Sequence, residues 1–64
     1  MNTLEIGQKF TTSKAVAKSV AGQSATITGY GESYGQPFYY ARTESGETFT
    51  FDFEEVEAVI ETIL

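Results

Sequence analysis

The sequence predicts an α+β fold: a small antiparallel β-sheet of three to four strands, with a C-terminal amphipathic helix packed on its aromatic face and a short N-terminal helix. Two observations predict it. Thr48-Phe49-Thr50-Phe51-Asp52-Phe53 alternates polar and aromatic residues without a fault, and strand side chains point to opposite faces with period two. Directly after it, Val56, Ile60, Ile63 and Leu64 join Phe53 at helical spacing, with Val59 flanking the stripe.

Taken in order, Leu4 to Phe10 reads as a first strand with Leu4 and Ile6 on one face. Thr11-Thr12-Ser13 supplies three caps for a helix over Lys14 to Ala21, in which Val16 and Val20 lie four apart and Gly22 ends the element. Residues 13–21 also read as a strand, with Val16, Lys18 and Val20 on one side. Gln23 to Tyr30 is a second strand, Ala25 and Ile27 inward and Thr26 and Thr28 outward. Gly29 to Pro37, with three glycines and a proline, is a loop or the twisted tip of a long hairpin.

Phe38-Tyr39-Tyr40-Ala41-Arg42-Thr43 is rich in residues that favour strands. A two-residue turn at Ser45-Gly46 would pair Thr43 with Thr48, Ala41 with Thr50 and Tyr39 with Asp52. Phe38, Tyr40 and Arg42 would then share a face with Phe53, Phe51 and Phe49. A three-residue loop with a bulge would shift that pairing. Asp52 is the expected N-cap of the last helix, with Glu55 placed as its capping-box partner. The expected core is Ile27, Phe38, Tyr40, Phe49, Phe51, Phe53, Val56, Ile60 and Ile63. A small SH3-like barrel is the alternative architecture if the N-terminal strand closes the sheet.

With 64 residues the chain is expected to be a single domain, residues 1–64. A domain of this size buries only about 60% of its unfolded surface, so five phenylalanines and four tyrosines must supply much of the core. The chain has no cysteine and no histidine, which excludes disulfides and the usual zinc sites. No cofactor is expected. No apolar run is long enough to span a bilayer, and the N-terminus lacks the basic start and apolar segment of a signal peptide. A cytoplasmic location is the default expectation.

The net charge of −5 is unevenly spread. Residues 1–31 hold Lys9, Lys14 and Lys18 against Glu5, whereas residues 32–64 hold eight acids against Arg42. That balance argues against direct binding of a phosphate backbone, whose affinity comes largely from Lys and Arg. It suits a partner with a basic surface. Catalysis is not expected, because no serine or threonine is spaced with a base and the paired carboxylates read as a solvated helix face. The glycines around Tyr30 and Tyr34 have the wrong spacing for a nucleotide loop, and no calcium-loop series occurs.

The candidate partner-binding residues are therefore Glu44 and Glu47 at the hairpin tip, Asp52, Glu54, Glu57 and Glu61 along the helix, and Tyr34 and Tyr39 as aromatic anchors. Carboxylates at such intervals can occupy a basic nucleic-acid groove. In size and charge the chain resembles the very small, acidic, cysteine-free proteins that viruses of bacteria use to block host machinery. That resemblance implies an inhibitor of a host nucleic-acid-handling protein, acting by steric or charge mimicry. One alternative is a structural or accessory subunit that self-associates, as a homodimer. Another is a sugar or single-strand nucleic-acid binder that uses exposed tyrosines.

Overall fold

A computed structural model of the chain describes residues 4–14 and 20–64. It is mostly β. The strands are β1 (Lys9–Thr12), β2 (Ser24–Ser33), β3 (Gln36–Thr43), β4 (Thr48–Asp52) and β5 (Ile60–Ile63), all antiparallel to their neighbours. A 3-10 turn (Phe53–Glu55) and one short helix, α1 (Val56–Val59), join β4 to β5. The sheet order is β4-β3-β2-β1-β5. The meander of the first four strands is thus completed by a last strand laid against the first.

The expected N-terminal helix, Lys14 to Ala21, falls mostly outside the described residues. Residues 15–19 of that segment lie outside the described residues, and Lys14 and Val20–Gly22 on either side are turn. The expected caps have other roles. Thr11 and Thr12 belong to β1, while Glu5–Gln8 makes a turn closed by the Gln8 N–H on the Glu5 carbonyl at 3.0 Å, with Gly7 at φ 94°. The first strand therefore begins at Lys9 rather than at Leu4. Thr12 is fully buried; its hydroxyl accepts the Gln23 N–H at 2.9 Å and lies against the carbonyls of Val20 and Gln23. One buried hydroxyl thus ties together the two ends of the β1–β2 connection.

The C-terminal segment is the second correction. Asp52 does start a helical turn, its N–H donating to Glu55 Oε1 at 2.9 Å. The helix then stops at Val59, and Ile60 is extended at φ −96°, ψ 122°. Val59, Ile60, Thr62 and Ile63 are β-branched and lose side-chain freedom in a helix. A strand here also covers the open side of β1, pairing Ile60 with Thr12, Thr62 with Thr11 and Ile63 with Phe10 across a bulge.

The third correction is the register of β3 on β4. The connection is a three-residue loop, Glu44-Ser45-Gly46, closed by the Thr43 N–H on the Glu47 carbonyl at 2.8 Å, with Gly46 at φ 93°. Thr43 Oγ1 fastens it, 2.9 Å from Ser45 Oγ and 3.1 Å from the Glu47 N–H that it accepts. Tyr39 therefore pairs with Phe51, Tyr40 with Thr50 and Ala41 with Phe49. This one-residue shift turns every β3 side chain to the other face.

Tyr39, Ala41 and Thr43 are buried with Phe10, Val20, Ala25, Ile27, Phe51, Val59 and Ile60. Phe49, Phe53 and Val56 pack partly against them. Phe38 and Tyr40 face outward, and Ile63 stays 48% exposed at the sheet edge, so these three leave the expected core.

The buried hydroxyl of Thr12 gives the first prediction. Thr12→Val keeps the shape but removes the buried hydroxyl that accepts the Gln23 N–H and meets the Val20 carbonyl, so it should cost about 1–3 kcal/mol, or about 4–8 °C in Tm per kcal/mol for a domain of this size. Thr12→Ser should recover most of that loss. Thermal unfolding followed by circular dichroism measures both; equal melting points for the Val and Ser variants would contradict the assignment.

Candidate interaction surface

The structure divides the acidic residues differently from a single helical ridge. Glu44 and Glu47 are exposed and flank the β3–β4 turn. Asp52, partly buried, ends β4; Glu54 is exposed on the 3-10 turn and Glu57 on α1. Glu61 is exposed on β5, so the expected Glu54–Glu57–Glu61 face is broken after Glu57. The acids therefore gather at the two ends of β4. Five residue steps separate Glu47 from Asp52, roughly 17 Å at the usual strand rise.

Of the two expected aromatic anchors, one is withdrawn. Tyr39 is 1% exposed and stacks on Phe53 at 4.2 Å between ring centres, its hydroxyl accepting the Leu4 N–H at 2.9 Å. Tyr30 folds back beside it and donates its hydroxyl to the Leu4 carbonyl. The two tyrosines thereby clamp one residue of the N-terminal segment. Tyr34, in contrast, is fully exposed at the tip of the β2–β3 hairpin. It sits at φ 51° beside Gly35 at φ 77°, left-handed backbone that suits a tight hairpin turn but favours Gly, Asn or Asp. A large aromatic side chain in that position serves neither the turn nor the core.

The outer face of β2, β3 and β4 holds a feature that reading single elements does not reveal. The two registers align Thr26, Arg42 and Thr48 in one row, Gly29, Tyr40 and Thr50 in the next, and Gly31, Phe38 and Asp52 in the third. Thr28 is the extra residue where the β2–β3 register shifts. Phe38 and Tyr40 meet edge to face at 5.2 Å and lie over the glycines of β2. A Cβ on Gly31 would stand 2.5 Å from two ring carbons of Phe38 and 3.0 Å from Tyr40. Tyr40 remains 45% exposed and borders a shallow depression with Thr28, Thr48 and Thr50.

The outer face thus sets an aromatic pair between a cation, Arg42, and an anion, Asp52. The pattern was present in the sequence as Gly29-x-Gly31 followed, across a two-residue turn, by Phe38-x-Tyr40. Recognising it needs the hairpin pairing first.

Among the described residues none of the six candidate carboxylates is held in an ion pair, so their charge is open to an approaching partner. Rigid aromatic rings beside unpaired charge suit protein recognition. Likewise, among the described residues no helix is long and apolar enough to cross a membrane.

The glycine seats separate by experiment. Gly31→Ala should destabilise the domain by about 1–3 kcal/mol, because the new methyl must displace the Phe38 ring. Gly29→Ala, whose Cβ would meet Tyr40 at an ordinary 3.7 Å, should be close to neutral. Chemical denaturation of the two variants tests the contrast, and equal losses would mean that the rings do not rest where described. Compared with protein-family models, with curated proteins and with solved structures, the chain matches none of them.

Proposed function

We infer that the chain is a small acidic protein-binding module whose partner presents a basic surface, and that it inhibits a nucleic-acid-handling protein by steric or charge mimicry. The observation that carries this reading is the placement of Glu44, Glu47, Asp52, Glu54 and Glu57 at both ends of one edge strand, free of ion pairs among the described residues. Anions at two points along a rigid edge attract a cationic groove and bias its orientation. Tyr34 at the hairpin tip and Tyr40 on the outer face supply the aromatic contacts. Glu61, on the other edge strand, widens the acidic surface without belonging to the same row. No catalytic role is proposed.

A tagged chain is incubated with nuclease-treated lysate and washed at low and then high salt. The expected result is one basic, nucleic-acid-handling protein that salt releases and that its own nucleic acid displaces. Recovery only of the chain itself, at both salts, would replace the inhibitor by a self-assembling subunit.

Two sets of variants extend the test. Glu54→Gln together with Glu57→Gln should weaken capture at least tenfold while leaving the melting temperature nearly unchanged. Tyr34→Asn should stabilise the fold by about 0.5–1 kcal/mol, since Asn accepts left-handed backbone at lower cost, and should still reduce capture. A Tyr34→Asn variant that binds as well as the parent would remove that residue from the surface.

A further inference from the structure

We propose that the free edge of β4 takes up an extended basic segment of the partner as an additional strand. This proposal rests on the reading that the partner surface is basic, and it adds the mode of contact. Among the described residues β4 ends the sheet order, with β3 on one side and no strand on the other. Hydrogen-bonded and non-hydrogen-bonded pairs alternate along an antiparallel ladder. The Thr43 N–H bonds the Glu47 carbonyl, so the Phe49 and Phe51 backbone groups also face β3, while those of Thr48, Thr50 and Asp52 face outward.

The Asp52 N–H confirms the phase of that alternation, since it is taken by Glu55 and not by β3. Glu55 thereby closes one end of the edge. By that alternation the backbone groups of Thr48 and Thr50 point away from β3, and both residues are exposed. Outside the strand ladders, no backbone hydrogen bond among the described residues reaches either.

An open strand edge pairs with any extended chain unless something selects among them. Charge makes the selection here. Glu47 precedes the edge, and Asp52 and Glu54 close it. A second copy paired antiparallel would bring Glu47 against the other copy's Asp52 and Glu54 end, and paired parallel it would set Glu47 beside Glu47. Like charges facing across strands are destabilising. An incoming segment with Lys or Arg at its ends meets the same acids favourably, and its side chains on the outer face pass over Thr48, Thr50 and Tyr40. The occupant favoured is therefore a basic strand rather than another copy of this chain.

The probe is a synthetic heptapeptide alternating lysine and valine, titrated at low salt into the isotope-labelled full chain, with amide hydrogen exchange read residue by residue. A second peptide has the same sequence but is N-methylated at alternate residues, which keeps its charge and removes its strand-pairing edge. The unmodified peptide should slow exchange at Thr48 and Thr50 at least tenfold, and the N-methylated one should bind at least tenfold more weakly. If both peptides bind equally with no slowing at Thr48 and Thr50, strand addition is wrong and the basic-partner reading stands. Protection in β5 instead would also overturn the choice of edge. If neither peptide binds, both readings fall. Slowing that grows with protein concentration in the absence of peptide would show that the edge pairs with a second copy, which overturns the proposal.

Discussion

The pairing of Tyr39 with Phe51 is the constraint on which the rest of this structure depends. It is held from two directions. At the turn, Thr43 Oγ1 accepts the Glu47 N–H and meets Ser45 Oγ, which stabilises a three-residue loop and so sets the count of residues on each strand. In the core, the Tyr39 ring stacks on Phe53 while its hydroxyl receives the Leu4 N–H, so a polar tip is satisfied at the far side of an apolar body. Shift this register by one residue and the tyrosine hydroxyl loses its partner, Ala41 leaves the core, and Phe38 must enter it. A domain of this size, with little buried surface in reserve, has no means of absorbing such a change.

The same register decides what the surface offers. With Tyr39 inside, Phe38 and Tyr40 are driven outside, where glycines on β2 give them seats against the backbone. Cross-strand aromatic cover of a glycine shields backbone that would otherwise lie bare. It also leaves Tyr40 with a fixed orientation and nearly half its surface free. Core packing and the presentation of an aromatic contact are two consequences of one pairing. The outward phase of the Thr48 and Thr50 backbone groups is a third.

How much of this was legible depends on whether a pattern has one structural solution. The alternation in β4 and the inward Ala25 and Ile27 of β2 admit only a half-buried strand, and both form. Phe38-Tyr39-Tyr40 is aromatic on both faces, so hydrophobic pattern could not choose its register. Only the loop length did, and loops of two and three residues are both compatible with Glu44-Ser45-Gly46-Glu47. Val56, Val59, Ile60 and Ile63 satisfy a helical stripe, yet beyond Val59 the β-branched residues and the open side of β1 favour a strand. That choice is tertiary, and local spacing carries no information about it. The acidic residues were legible as a surface, but their grouping was not, because it depends on where the helix ends.

The charge of the chain and its small core fit together through distance. A net charge of −5 works against a compact state that has little margin. Placing the carboxylates at opposite ends of β4 keeps the two groups roughly 17 Å apart at the usual strand rise, beyond the screening length of about 8 Å at physiological ionic strength. Repulsion between the groups is therefore largely screened in the free protein. A partner in contact with either group is screened far less, because contact excludes the screening solution. The arrangement also discourages a second copy from adding at the open edge, where the groups would be brought within that distance of one another. Dividing the surface charge between the two ends of β4 thus limits its cost to a small compact domain.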